Sequence, residues 1–477
     1  MSVVQALAKN SLLQITGKVL GTILGLVTFY LMLRFFGTEG FGLFTTAITY
    51  VAVFAILVDF GLTLTTTQMI SKPGADEPKI LGNLLSLRLI SGALFMTLAP
   101  VMALFIPQSQ GIMAIIVIAS VGQYFGSVAQ MFMGVFQKRL AILTAVFAET
   151  ANRTVALVGI ILAGLLGFGI EGASLAFVIG GLVQLSIMLG GTARRIYLRP
   201  QIDLKIWKQI VFLSWPIGVS IFFNLLYYKG DIIFMWMLNR SAEEIGQYGS
   251  AYKVVEVMAM IPITFMGLLL PLLTAAWAKR NAAEFKTRLQ NGFDVFSIVA
   301  IPFAAGVIAL GVPIMTAIRP DLVLAGQVLA ILGPTTTIMF FGALYGHAVV
   351  AVNKQKPMTF GYILVAILAI AGYAMLIPIY GAWGAAWVSL GSELLITLLT
   401  FAMVTATTKV WPRLGSALKA LGASLIMVAA IVLIPTPHAF ISVPLGAVVY
   451  ALALMLLGGP KPKDVANLFL ANKTTAP

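Results

Sequence analysis

The chain has 477 residues, of which 60% are hydrophobic and only 10% charged, and its mean hydropathy is +1.01. This composition excludes a soluble globular protein and predicts a chain that crosses a membrane many times, with roughly 20 residues in each crossing. The absence of cysteine excludes disulfides, thiol catalysis and cysteine-based metal sites. The two histidines, His347 and His438, lie far apart in the sequence, so we expect no metal site and no cofactor.

Apolar runs bounded by charged residues, glycine and proline predict an all-α polytopic membrane protein with about fourteen transmembrane helices. Residues 1–198 are predicted to form an N-terminal six-helix lobe and residues 199–410 a C-terminal six-helix lobe. Residues 411–477 are expected to form two extra transmembrane helices and a short cytoplasmic tail. The predicted spans lie near residues 11–36, 42–68, 80–106, 112–136, 140–165, 171–193, 210–238, 246–274, 294–317, 322–350, 358–378, 382–406, 414–434 and 439–458.

The basic residues are distributed unequally between the two ends of these spans. Most of the 30 Lys and Arg residues fall in the connections on the side of the N-terminus, and only Arg34, Arg240 and Arg319 fall in the opposite connections. This asymmetry in short loops follows the positive-inside rule and predicts that both termini are cytoplasmic. The net charge of +14 therefore reflects topology and an attraction to anionic membrane lipids, and we expect no nucleic-acid partner.

A weak internal repeat relates the two predicted lobes. Residues 41–47 align with residues 245–251 at a shift of 204, which pairs Gly42 with Gly246. Both segments belong to the turn between the first and second spans of a six-span set. Because each set has an even number of spans, the repeats are parallel and related by an axis along the membrane normal. We therefore expect two related six-helix lobes.

Five cations fall inside the predicted spans: Lys18, Arg88, Arg153, Lys229 and Lys253. A charge at membrane depth is costly unless it faces water, a partner or the protein interior. These cations occur in both halves and at several depths, so we predict that they form a cationic cavity through which an anionic group crosses. Phosphate fits such a cavity, because Arg binds it with a planar fork and Lys as a point charge.

Acidic residues also fall inside the spans, and four are candidates for binding Na⁺ or carrying a proton: Asp231, Glu149, Glu256 and Glu393. Glu149 and Arg153 are four residues apart, and Lys253 and Glu256 three, so each pair can meet on one helix face. An internal ion pair that only holds helices together explains either spacing equally well. Lys229 and Asp231 are two residues apart and reach one cavity only if the helix opens at Gly230.

Loose motifs occur at Phe36–Gly42, Asp59–Leu62, Trp215–Pro216, Asp231, Ile245–Tyr248 and Pro271. Together they resemble the Wzx-type flippases, the polysaccharide-transport branch of the multidrug/oligosaccharidyl-lipid/polysaccharide exporter superfamily. The resemblance covers residues 5–410. It implies two six-helix lobes around a cavity and alternating-access transport of an undecaprenyl-pyrophosphate-linked oligosaccharide, such as an O-antigen precursor, across a bacterial-type inner (cytoplasmic) membrane.

On this interpretation the protein is a flippase and not an enzyme. Its partners are the lipid-linked oligosaccharide, membrane lipids, a coupling Na⁺ or H⁺, and polysaccharide-assembly proteins. Fourteen spans also resemble the lipid II flippase of the same superfamily, which leaves the substrate open. A cation-coupled multidrug (MATE-like) exporter is an alternative, although the buried cations argue against it. A membrane-embedded glycosyltransferase or polymerase is a further alternative, although the chain lacks a sizeable catalytic loop. Candidate sugar contacts are Gln123, Asn152, Gln184 and Asn224.

Overall fold

The computed structural model describes residues 3–72, 74–139, 141–193, 198–434 and 438–459. These residues form α-helices and one short 3₁₀ helix, Pro107–Ile112, with no β-strand, so the prediction of an all-α polytopic protein is confirmed. The helices are α1 (Val3–Asp59), α2 (Leu62–Ile70), α3 (Glu77–Ala103), α4 (Met113–Met131), α5 (Met133–Lys138), α6 (Ile142–Leu166), α7 (Gly169–Ala193), α8 (Leu204–Met237), α9 (Ala242–Ala278), α10 (Ala282–Ile318), α11 (Val323–Ala351), α12 (Gln355–Tyr380), α13 (Ala382–Thr408), α14 (Gly415–Leu433) and α15 (Ala439–Leu456).

The helices account for the predicted spans. In the described part of the chain, 11 helical segments are long and apolar enough to cross a membrane. The first of these, Thr16–Asp59, has 44 residues and is long enough for two crossings. Two more predicted spans correspond to α8, which has 34 residues, and to α15, whose apolar part is Ile441–Leu456. Every one of the predicted spans therefore has a helical counterpart.

Two backbone breaks interrupt the first apolar stretches. Gly37 inside α1 has φ 73° and ψ −177°, a conformation that favours glycine, and it divides α1 into two helices. The second predicted span, 42–68, is not one helix: α1 ends at Asp59, and α2 begins after Phe60 (φ 33°) and Gly61 (φ 80°). The single-helix interpretation of 42–68 was wrong, because an apolar run contains no signal for a two-residue left-handed break.

Contacts divide the chain into two compact units, residues 1–246 (the first unit) and residues 247–477 (the second unit). In the first unit, α6 packs along α7 and α1, while α8 packs against α1, α2 and α3. Small residues allow these helices to approach closely, as is usual in membranes: Gly159 of α6 lies against Ala176 of α7. Apolar side chains from α2, α3, α4, α5 and α6 fill a shared core, which includes Leu62, Met69, Leu84, Leu85, Val128, Phe132, Phe136 and Ala145.

In the second unit, α10 packs against α11 and α14, and α13 packs against both α11 and α12. The α10–α11 contact is backbone to backbone, since a Cβ on Gly311 would lie 2.6 Å from the carbonyl oxygen of Gly326. Helix α15 packs on α14 and α10, where the Tyr450 hydroxyl donates to the Ile298 carbonyl over 2.7 Å. The α11–α13 contact carries the polar residues described below.

The connection that precedes α8 is fixed to α3 in the first unit. The backbone N–H of Gln201 donates to the Gly82 carbonyl (3.0 Å), and that of Asp203 donates to the buried Asn83 side chain (2.6 Å). The Asp203 carboxylate then caps α8 by accepting the Lys205 N–H. In the structure, α8 packs with the helices that precede it in the chain. The sequence analysis instead assigns it to the C-terminal lobe with the helices that follow. The lobe boundaries near residues 198 and 410 stay predictions.

Candidate functional site

The most exposed of the predicted span charges lie where α1 meets α6 in the first unit. Arg153 and Glu149 form the expected ion pair at 3.0 Å, with side chains 42% and 49% exposed. Arg153 Nη1 also donates to the Gly21 carbonyl of α1 over 3.1 Å. Lys18, three residues before Gly21, is exposed as well. Since Gly21 has no side chain, the guanidinium can lie directly against α1.

Two predicted sugar contacts lie beside this pair and bind each other. Asn152 Nδ2 donates to Gln184 Oε1 over 2.6 Å, which joins α6 to α7. The close approach of Gly180, whose Cβ would lie 2.4 Å from Asn152 Oδ1, makes room for the amide. Gln123 on α4 is exposed. The side chain of Asn224, the fourth candidate, lies outside the described residues.

Arg88 has a different environment from Arg153. Its side chain is 0% exposed, and Nη2 donates both to Asp59 Oδ1 (2.6 Å) and to Thr63 Oγ1 (2.8 Å). Thr63 in turn donates to Asp59 Oδ1 over 2.5 Å. Because Asp59 ends α1 and Thr63 lies in the first turn of α2, the arginine holds both sides of the break at Phe60 and Gly61.

Helices α2 and α3 also carry buried polar atoms without a hydrogen-bond partner in the described structure. They include two nitrogens of Arg88 itself, Nε and Nη1, and the hydroxyls of Thr65, Thr66 and Ser91. A buried donor without a partner costs about 1–3 kcal/mol. Arg88 is therefore a costly residue at this position, and its contacts in this conformation are to the protein.

Lys229 and Asp231 lie in the same helical segment of α8, in the first unit. The helix runs without interruption through Gly230, so the condition under which both side chains would reach one cavity is not met in this conformation. Asp231 is 1% exposed, and its Oδ1 accepts the backbone N–H of Ile232 over 2.8 Å. Lys229 is partly buried. Residues two positions apart in a regular helix project their side chains in different directions.

The second unit contains the remaining candidates. Lys253 and Glu256 on α9 form the expected ion pair at 2.9 Å, with both side chains partly exposed. Glu393 lies near the middle of α13 and is partly exposed. Its neighbour on α11 is Gly342, where a Cβ would lie 3.1 Å from Glu393 Oε1 and 2.7 Å from Thr397 Oγ1. In the described part of the chain, the Glu393 carboxylate has no ion pair and no hydrogen bond.

The structure also shows partners that sequence reasoning missed. Asp59 and Thr63 hold Arg88, and Ser389 of α13 meets two tyrosine hydroxyls, those of Tyr248 (3.4 Å) and Tyr373 (3.2 Å). The available signal was the presence of polar residues inside apolar spans. That signal identifies the residues but does not pair them, because the partners come from different helices.

Comparison with known proteins supports the fold. The structure is similar to a lipid II flippase, MurJ, in an inward closed conformation, with a TM-score of 0.76 at 15% identity over 97% of this chain and 99% of that one. It is also similar to an inward-facing multidrug resistance MATE family transporter of the MOP superfamily, with a TM-score of 0.65 at 14% identity over 81% of this chain and 94% of that one.

A third similar structure is a MOP superfamily transporter from Pyrococcus furiosus, with a TM-score of 0.59 at 14% identity, covering 85% of this chain and 95% of that one. No curated protein sequence matches the chain. The family model described as "Polysaccharide biosynthesis protein" matches residues 7–277, which is more than half of the sequence. The chain therefore belongs to the polysaccharide biosynthesis protein family, a membrane transporter family of the MOP superfamily.

Proposed function

We propose that this protein is a flippase that moves an undecaprenyl-pyrophosphate-linked oligosaccharide across the inner membrane of a bacterial cell by alternating access. Both termini are cytoplasmic in this proposal, as the distribution of basic residues predicts. The protein performs no covalent chemistry on its cargo. A gradient of H⁺ or Na⁺ drives the cycle, and polysaccharide-assembly proteins deliver or remove the lipid-linked oligosaccharide.

The observation that carries the proposal is the exposure of Arg153. It lies near the middle of α6, a 25-residue span, and 42% of its side chain is exposed. A charge at the centre of a span costs about 2.5–3.5 kcal/mol on insertion scales. That cost is avoided where the residue lines a water-filled path. The exposed Lys18 on the neighbouring α1 adds a second cation to this surface.

Pyrophosphate is the cargo group that these residues suit best. Arg153 has a planar guanidinium, of which Nε and Nη2 already donate to Glu149 and Nη1 to Gly21. A phosphate oxygen can replace Glu149 as the acceptor without moving the helix, since the carboxylate and phosphate bind the guanidinium fork in similar ways. The exposed Gln123 side chain is then available for the sugar.

The alternatives differ in the charge of the cargo. A multidrug exporter that carries cations has no use for Lys18 and Arg153 on a transport surface. Lipid II contains the same pyrophosphate group as the oligosaccharide carrier, so these two cations could bind it in the same way. A glycosyltransferase or polymerase needs catalytic acids or a metal near a sugar. Among the described residues, no group of three or more His, Asp or Glu side chains is arranged to hold a metal ion.

The test is transport by the full chain reconstituted in liposomes. The probes are a fluorescent undecaprenyl-pyrophosphate oligosaccharide, fluorescent lipid II and a fluorescent cationic drug, each followed by the fraction of probe that a membrane-impermeant quencher reaches. We expect transport of the first probe to exceed that of the cationic drug at least tenfold. Faster transport of the drug than of the oligosaccharide probe would reject the proposal. Faster transport of lipid II than of that probe would identify lipid II as the substrate instead.

A further inference from the structure

Glu393 is the starting point, because its carboxylate is set into the contact between α11 and α13 of the second unit. Its neighbours are the backbone of Gly342 and the hydroxyl of Thr397. That hydroxyl is already occupied, since it donates to the Ile338 carbonyl over 3.4 Å. A carboxylate inside a membrane span without a cation beside it is costly when ionised. The surroundings therefore favour the neutral, protonated form.

A line of hydroxyl groups extends from Glu393 towards the beginning of α13. Ser389, Glu393 and Thr397 are spaced four residues apart and so share one face of the helix. At Ser389 the line continues into the hydroxyls of Tyr248 and Tyr373, both of which are buried. Hydroxyls both donate and accept hydrogen bonds, so a chain of them can pass a proton along.

Polar groups continue in the other direction along α11. The ring of Tyr345 packs against Phe401 of α13, with centroids 4.9 Å apart, and its buried hydroxyl has no partner in the described structure. Two residues later, His347 Nδ1 lies 2.7 Å from the Ala343 carbonyl. A carbonyl only accepts, so Nδ1 carries the proton and Nε2 remains as a second proton-binding atom. From Ser389 to Phe401 the helix rises about 18 Å, more than half the thickness of the hydrocarbon core.

We propose that Glu393 is a proton-binding site of the second unit, reached through the hydroxyl line on α13 from one side and through Tyr345 and His347 of α11 from the other. The step is a simple protonation: one H⁺ binds a carboxylate oxygen, the side chain changes from −1 to neutral, and the same H⁺ leaves on the other side. The inference rests on the proposed function, because it assigns the coupling ion and the residue that carries it.

The chemistry favours H⁺ over Na⁺. A sodium ion needs several oxygen ligands, whereas the neighbouring side chain of this carboxylate supplies a single hydroxyl oxygen, that of Thr397. The helices packed against α13 place no acid near it: the titratable side chains of α11 are Tyr345 and His347, and those of α12 are Lys356, Tyr362, Tyr373 and Tyr380. On α9, Lys253 and Glu256 are engaged with each other.

The direct test is infrared difference spectroscopy of the full chain in liposomes between acidic and alkaline pH, in H₂O and in D₂O. We expect a protonated-carboxyl C=O band that disappears on alkalinisation, shifts in D₂O and is missing in Glu393→Gln. Glu284→Gln, which removes a partly exposed carboxylate at the start of α10, is the matched control and keeps the band. Identical carboxyl difference spectra for wild type and Glu393→Gln would overturn the proposal.

A second variant keeps the carboxyl and changes its surroundings. The Cβ of Gly342→Ala lies 3.1 Å from Glu393 Oε1, so we expect the same band at a shifted frequency. In the lipid-probe transport assay, a pH gradient should accelerate wild type at least fivefold and Glu393→Gln not at all. Acceleration of wild type by a Na⁺ gradient alone would overturn the proton assignment. Failure to transport any lipid probe would reject the proposed function and leave the infrared result standing.

Discussion

Gly42 in α1 and Gly246 in α9 pack backbone against backbone in a symmetric contact within the first unit. A Cβ on Gly42 would lie 1.8 Å from the Ala242 carbonyl oxygen, and a Cβ on Gly246 would lie 1.9 Å from that of Thr38. Thr38 and Ala242 are separated by the same 204 residues as the two glycines. Equivalent positions of the two sequence repeats therefore contact each other here. Each glycine packs against the carbonyl of the residue four positions before the other glycine.

Gly42→Ala and Gly246→Ala should each force the helices apart, because the clashing atoms are backbone and cannot rotate away. We expect a loss of stability of about 1–3 kcal/mol for either variant. The measurement is the apparent Tm of the purified protein in detergent. Gly190→Ala is the matched control: that helical glycine of α7 has no atom within 4 Å of the added Cβ, so its Tm should be unchanged or higher. Equal Tm values for all three variants would contradict the close approach.

A double-mutant cycle on Arg88 and Asp59 should show a favourable interaction free energy between the two side chains. Asp59→Asn alone leaves the fully buried charge of Arg88 without its ionised partner and should cost about 3–5 kcal/mol. Arg88→Gln alone should cost less, because the Asp59 side chain is 27% exposed. Combining the two should cost less than the sum of the single changes. Arg288 and Glu284 provide the control, because both side chains are partly exposed and their contact is 3.6 Å long, so the same cycle there should give about 0–1 kcal/mol. Additive losses for Arg88 and Asp59 would show that they do not interact.

The cap of α8 should give a pH-dependent contribution to stability. Hydrogen bonds from the backbone N–H groups of Lys205 and Ile206, with help from Lys79, hold the pKa of Asp203 below its ordinary value. A lowered pKa stabilises the fold above the ordinary Asp pKa of about 3.9, and this stability is lost as the pH falls through the lowered pKa.

Asp203→Asn removes the charge while keeping a side chain that can cap the helix. We expect the apparent Tm of the variant to lie below that of wild type near neutral pH, and the difference to shrink as the pH falls below about 4. A difference that stays constant from neutral to acidic pH would mean that the Asp203 charge does not stabilise this connection.

The sequence predicts local features of this protein well and distant contacts poorly. Hydropathy is a property of consecutive residues, so the spans could be placed, and the pairs Glu149–Arg153 and Lys253–Glu256 follow from helical spacing alone. The contact of Arg88 with Asp59 joins residues 29 apart on two helices, which no spacing rule anticipates. The grouping of α8 with α1 and α3 depends in the same way on packing between helices that are distant in the sequence.

In the proposed function, the exposed cations of α1 and α6 bind the pyrophosphate of the cargo. This binding can be tested by the rate at which Arg153→Ala transports the fluorescent undecaprenyl-pyrophosphate oligosaccharide in liposomes. The control is Arg288→Ala, which removes an arginine paired with a Glu in the same i, i+4 spacing near the start of α10. We expect at least a tenfold loss of rate for Arg153→Ala and a rate within twofold of wild type for Arg288→Ala, with both variants folded. Transport by Arg153→Ala at the wild-type rate would contradict this expectation.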